Sequence, residues 1–161
     1  MSRAFLLIVM VTVSLGITKP ASADLTAFIG STTRSPSHQT VRGAAIGLSL
    51  AVVGFEFEYS DTSENAQHST PALQSSIFNV LVQTPFEISR LQFYGTIGGG
   101  IYRERISDSV DIGFGSNIGA GLKVSLIGPL RARIDYRVFR LGRDSVNNST
   151  QRVYVGFNVG F

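Results

Sequence analysis

Arg131, Arg133, Asp135 and Arg137 stand at every second position, and Glu56 and Glu58 repeat that spacing earlier in the chain. A spacing of two puts side chains on one face of a β-strand. One strand would then carry a row of guanidiniums interrupted by one carboxylate, and another strand a pair of carboxylates. Lys123 takes the same place in a third alternating stretch, opposite in face to Leu122 and Val124. Brought together out of water, such residues can form a static network of charge-assisted hydrogen bonds. They can also exchange partners and let ions pass. Nucleophilic chemistry has thinner support. The histidines are His38, near Ser35 and Ser37, and His68, near Ser69 and Glu64, all in polar connecting segments. Neither lies on a strand with a nucleophile beside it, and two scattered histidines make a poor metal site. The chain has no cysteine, which excludes thiol nucleophiles and cysteine-ligated metals. Gly98-Gly99-Gly100 sits within a strand pattern and not between a strand and a helix, so it is no phosphate loop. No enzyme activity, cofactor or metal is expected.

The elements that position these charges follow from alternation. In Arg152–Phe161 every odd residue is apolar (Val153, Val155, Phe157, Val159, Phe161), and the even ones are polar, glycine or tyrosine. The same period of two runs through 91–103, 110–125 and 129–141, and through the shorter 40–50 and 54–60. Weaker strands are expected at 25–31, with Phe28 on the inner face, and at 75–84. That makes eight strands in one domain. Their connections alternate. Residues 32–39, 61–73, 104–109 and 142–150 are polar and longer, whereas 51–54 and 127–129 are tight turns and 84–90 is the one longer link on the tight side. Alternating long and short links describe an up-and-down meander with two different ends.

The beginning of the chain has the form of an export signal. Arg3 precedes a largely apolar run from Ala4 to Ile17, Lys19-Pro20 breaks it, and Ala21-Ser22-Ala23 offers a cleavage site. Residues 1–23 are therefore expected to be a signal peptide and 24–161 the mature domain. Cleavage leaves 138 of the 161 residues and lowers Lys+Arg from 14 to 12 against 11 acids, a net charge of +1. So small an excess gives no reason to expect a nucleic-acid partner. After the signal no apolar run reaches the ~18 residues that suggest a spanning helix.

Alternation alone also permits a soluble, lipocalin-like barrel with its apolar face inside. Such a barrel would expose glycine along several strands, where it weakens pairing and packs nothing. Turned the other way, the glycines and charges fill the narrow interior of an eight-strand barrel and the apolar face meets hydrocarbon. With the terminal Phe161 on the apolar face, the mature chain resembles the small bacterial outer-membrane barrels of the OmpA-like and opacity type. The resemblance covers 24–161, and the absence of tryptophan departs from it. It implies an all-β, closed, eight-stranded antiparallel transmembrane barrel in the bacterial outer membrane, with outer-membrane lipid and lipopolysaccharide as its partners. It further implies a monomer whose last strand (Val153, Val155, Phe157, Val159, Phe161) is read by the barrel assembly machinery. Phe55, Tyr59, Phe93, Tyr136 and Phe161 would serve as its aromatic girdles. Some barrels of this kind modify lipid A acyl chains, and others conduct solutes. In the barrel the third strand faces the seventh, so Glu56 and Glu58 are expected to meet Arg131, Arg133 and Arg137, with Asp135 and Lys123 nearby. The function expected is a scaffold closed by this network and presenting its outer loops to a surface ligand of unknown kind. A small-solute channel is the alternative.

Overall fold

The computed structural model describes residues 21–34, 37–64, 72–106, 109–142 and 149–161. Among them are eight strands: β1 Ser22–Arg34, β2 Ser37–Leu50, β3 Val53–Thr62, β4 Ala72–Gln83, β5 Leu91–Ile106, β6 Ser109–Ile127, β7 Leu130–Arg140 and β8 Ser149–Gly160. Each pairs antiparallel with the next, and β8 pairs antiparallel with β1, so the sheet closes on itself. The expected export segment falls outside the described residues as far as position 20.

The register around the ring is continuous. Ser22 lies opposite Ser49, and stepping from partner to partner through Gly54, Leu81, Thr96, Gly119, Arg137 and Arg152 returns to β1 at Thr32, ten residues further on. A stagger of that size tilts the strands and sets the barrel width. One irregularity, between Ser125 and Ile127, interrupts the β6–β7 ladder next to its turn. At that turn Gly128 takes a positive φ of 56°, a left-handed conformation that glycine adopts without strain.

Side chains alternate as the sequence dictates, and they point as a membrane requires. Phe157 is 60% exposed and Ile134 47%, while Glu56 and Arg133 retain 2% and 1%. The soluble, lipocalin-like alternative is thereby overturned, since the apolar residues form an outer belt and the charges line the axis. The aromatic residues expected as girdles (Phe55, Tyr59, Phe93, Tyr136, Phe161) all face outward. Among the described residues, buried apolar side chains form two small clusters, Phe28 with Val41 and Tyr154, and Leu73 with Tyr102 and Leu141.

The strands are longer than the apolar pattern indicates, mostly at the long-loop end. The connections expected at 32–39 and 104–109 shrink to 35–36 and 107–108 between paired strands. Hydropathy reports only the stretch that touches hydrocarbon. Backbone hydrogen bonds continue into water with polar side chains on both faces, because the ladder needs no apolar partner.

Lumenal glycines make room for lumenal rings. A Cβ at Gly121 would collide with the Tyr94 hydroxyl and come within 2.8 Å of the Ile134 carbonyl, and one at Gly43 would press on the Phe28 ring. Gly95, in contrast, faces out, with only a carbonyl at 3.9 Å from its would-be Cβ. Gly121→Val is expected to lower stability by about 1–3 kcal/mol through overpacking, read as an earlier urea midpoint of the barrel folded in vesicles. Gly95→Val should stay close to wild type.

Candidate functional site

The lumen is where the sequence places its chemistry, and parity decides which side chains reach it. β7 sends in Arg133, Asp135 and Arg137, and β3 sends in Glu56 and Glu58 from across the ring, four strands away in either direction. β8 adds Arg152 and Tyr154, β5 adds Tyr94, β6 adds Lys123 and β1 adds Asp24. All are buried.

Arg133 lies at the centre. Its guanidinium grips Glu56 with two nitrogens, one of them 3.2 Å from Oε1, and Asp135 with Nε at 2.7 Å and Nη2 at 3.3 Å. Nε also lies 2.7 Å from the Tyr94 hydroxyl. Arg137 continues the column. Its Nη2 is 3.1 Å from Glu56 Oε1 and 3.3 Å from Asp135 Oδ1, and its Nη1 is 2.9 Å from Glu58 Oε2. Glu58 is held further by the Tyr154 hydroxyl at 3.1 Å and by Arg152 Nη1 at 3.3 Å, and Arg152 Nη1 also donates to Ser60 Oγ at 2.9 Å. Nearer the short turns, Lys123 Nζ donates to Asp24 at 3.2 Å. Arg133, Arg137, Arg152 and Lys123 thus meet Glu56, Glu58, Asp135 and Asp24, four positive groups against four negative ones.

Rings cover the cations. Arg133 lies over Tyr94 at 5.0 Å, Arg137 over Tyr154 at 5.3 Å and Arg152 over Phe139 at 4.4 Å. These separations suit cation–π attraction, which gains strength when water is excluded. Above the charges, toward the long loops, Leu73, Tyr102 and Leu141 cluster. Asn79, the register partner of Glu56, accepts from Asn117 at 2.9 Å. Below them, Gln83 and Gln92 each donate to a backbone carbonyl at 3.1 Å, beside a polar cavity of about 70 Å³ at the short-turn mouth.

Of the residues read from sequence, Glu56, Glu58, Arg133, Asp135 and Arg137 come together. Lys123 lies in the adjoining layer, with Asp24 as its partner in place of the glutamates. Arg131 is a correction. It sits at the mouth, 29% exposed, with Glu87 at 3.9 Å as its counter-ion instead of Glu56 or Glu58. The physical reason is its position one residue from the β6–β7 turn, where the 84–90 connection supplies a closer carboxylate and water enters. Arg152, Asp24, Tyr94 and Tyr154 were not singled out, although parity marks them. Arg152 and Tyr154 occupy the even, inward positions of a strand read chiefly for its odd, apolar ones. Asp24 adjoins the expected cleavage site.

The other expected positions can also be placed. Val153, Val155, Phe157, Val159 and Phe161 face outward, and the Phe161 backbone exchanges two 2.9 Å hydrogen bonds with Ala23. His38 lies on exposed β2, its Nδ1 3.1 Å from Thr33 Oγ1. His68, Ser69 and Ser35 lie outside the described residues. Among those described, no three acidic, histidine or cysteine side chains gather as a metal site.

Solved structures share this architecture. Neisserial surface protein A superimposes with a TM-score of 0.73 at 17% identity, covering 89% of this chain and 100% of that one. The N-terminal β-barrel domain of Pseudomonas aeruginosa OprF gives 0.60 at 18%, covering 87% and 97%. The outer membrane enzyme PagL gives 0.50 at 14%, covering 84% and 98%. No family model matches, and no curated protein matches in sequence. What is shared is the fold, that of the eight-stranded outer-membrane barrels. A closed sheet with hydrocarbon-seeking side chains outside and paired charges inside is a membrane-spanning barrel.

Glu56→Gln removes the carboxylate shared by Arg133 and Arg137 and leaves positive charge buried without compensation. Breaking such a pair from one side costs about 3–5 kcal/mol. The expected outcome is a large fall in the urea midpoint, with Arg131→Gln, at the wet mouth, within about 1 kcal/mol of wild type.

Proposed function

We propose that this chain is an exported outer-membrane scaffold, a monomeric barrel whose lumen is plugged by ion pairs and whose long connections are displayed outside the cell. The observation that carries this reading is the buried column from Glu56 through Arg133, Asp135 and Arg137 to Glu58 and Arg152, which joins opposite walls of the barrel. A guanidinium held by two carboxylates and capped by a ring is a fixed strut. Moving it aside to admit an ion would expose several charges at once in a medium of low polarity. Wide aqueous channels come with ~16–18 strands, and eight strands leave a bore that these side chains fill.

Closure of the ring supports the monomeric reading, because no strand edge is left to recruit a second copy. The outward apolar belt supports contact with outer-membrane lipid. The fold by itself serves enzymes as well as proteins of other kinds, so the non-enzymatic reading rests on the chain's own residues. The histidine placed by the structure, His38, is exposed and contacts the hydroxyl of Thr33. For the ends of the chain the proposal is removal of residues 1–23 on export and recognition of the last strand by the barrel assembly machinery. The exposed Phe161 at the rim, and the pairing of Gly160 and Val159 with Asp24 and Leu25 of β1, fit a last strand that closes the ring.

Planar-bilayer recording of the purified mature chain tests the plug. Wild type is expected to give no steady single-channel steps, and Arg133→Ser with Glu56→Ser to give measurable leak. Steady wild-type conductance abolished by Glu56→Gln would make the protein a solute channel instead. In cells, Phe161→Ser is expected to slow assembly severalfold, seen as persistence of the heat-insensitive, unfolded gel band.

A further inference from the structure

The two rims of the barrel are built from different residues. Toward the long loops the outward register turns polar while the strands are still paired, at Ser31 in β1, Asp61 in β3, Ser76 in β4 and Gln151 in β8. Toward the short turns it stays apolar to the strand ends. The last outward residues there are Leu50, Val53, Val82, Leu91, Ile127 and Leu130. The connections then add Val52, Phe86 and Ile88, and Phe86, Ile88 and Ile127 are exposed.

Turns that meet water are commonly built from Gly, Asn, Asp and Ser. The β2–β3 turn is Leu50-Ala51-Val52-Val53, and Ala51 holds a φ of 52° that asparagine adopts more readily. An apolar residue in a left-handed position is explained if the turn does not face water.

A turn in lipid must have its backbone groups bonded within the protein. Gln83 donates to the Ala51 carbonyl from its side chain at 3.1 Å and to that of Val52 from its backbone at 2.8 Å. Arg90 accepts from the Ser125 amide at 2.9 Å, and its Nη2 donates to the Leu126 carbonyl at 3.3 Å. The Pro129 carbonyl accepts from the Gly160 amide at 3.0 Å. The carboxylate of this rim, Glu87, accepts from Ser125 Oγ at 2.8 Å and lines the mouth cavity with Arg131. Ser89-Arg90 forms the exposed tip of its connection, and a long arginine can reach headgroups from the edge of the acyl region.

The height of the belt agrees. From Gln151 to Phe161 the chain takes ten steps. At about 3.3 Å per residue and a tilt of about 40° this is about 25 Å along the axis, the height of the apolar band of such barrels. The band is therefore complete only at the level of the short turns.

We infer that the short-turn rim is seated in the acyl region of the periplasmic leaflet, with Phe86, Ile88 and Ile127 as its anchors against phospholipid. This rests on the outer-membrane reading above. A protein-docking patch has a polar rim around its apolar centre, whereas this ring runs into the lipid-facing belt with no polar outward strand residue between them among those described. Strand pairing beyond the band then lies on the outer side, where β5 and β6 run on to Ile106 and Ser109. The barrel is set high in the membrane, and the long connections are raised with it.

The chain has neither tryptophan nor cysteine, so a single introduced tryptophan reports its own surroundings. Ile127→Trp, Phe86→Trp and Val52→Trp are made separately in the mature chain, with Ile134→Trp as a mid-belt reference and Ser63→Trp as a reference beyond Asp61. Each is folded into phosphatidylcholine vesicles containing phosphatidylcholine brominated near the carbonyl end or near the middle of its chains. The three rim variants are expected to show blue-shifted emission and to lose most of it to bromine near the carbonyl end, with little quenching by acrylamide. Ile134→Trp should respond most to mid-chain bromine, and Ser63→Trp to acrylamide. Because each rim position is tested alone, a variant that fails to fold leaves the other two. Rim tryptophans with water-like emission, quenched by acrylamide and spared by bromine, overturn the inference while Ile134→Trp still reports lipid. Blue-shifted rim emission that bromine spares and that reddens on dilution into excess lipid assigns the ring to a second copy and overturns the lipid assignment. An Ile134→Trp that no brominated lipid quenches overturns the membrane reading itself.

Discussion

Hydrocarbon offers no partner to a peptide N–H or C=O, and the architecture follows from that refusal. A sheet in lipid must pair every strand on both edges, so it closes. With eight strands and a return ten residues out of step, closure leaves a bore narrow enough for side chains to fill. Everything polar that faces the bore must then find its partner within it. Arg133, shared between Glu56 and Asp135, is where that requirement is met most fully.

The network does not have to add net stability to matter. A buried ion pair repays its desolvation only when its geometry is good, and a well-packed apolar filling could hold the barrel as firmly. What the ion pairs supply is registration. Glu56 and Glu58 on β3 and Arg133 and Arg137 on β7 match only when two strands four apart in the ring are at the right height. A slip of one residue would turn these charges toward lipid and Phe55, Phe57 and Ile134 inward. Charge and hydropathy therefore oppose the same error on the same strands, the kind of agreement between levels that gives one folded state.

The glycines and aromatic rings are a second expression of narrowness. Phe28 fits because Gly43 and Gly156 leave space beside it, and Tyr94 fits over Gly121. The hydroxyl of Tyr94 then reaches Arg133, and that of Tyr154 reaches Glu58. On the outer surface the demands are looser, because lipid fills any gap. Gly95 can therefore face out without a large partner.

Period-two alternation determined eight strands and which residues share a face, because a strand has only two sides; the alternating connections determined their order, and the glycines and charges gathered on one face determined which side turns to the lumen. It even placed Glu56 and Glu58 opposite Arg133 and Arg137, since strands three and seven of a ring of eight are diametrically opposed. It could not say how far strands run past the membrane, because hydrogen-bonded backbone leaves no mark on hydropathy once both faces are wet; hence β1 and β2 reach almost to each other across 35–36. Nor could it assign partners along the bore. That Lys123 meets Asp24, that Arg131 turns to Glu87 and that Arg152 joins Glu58 depend on stagger and tilt. Those are properties of the closed ring as a whole, and no single strand carries them.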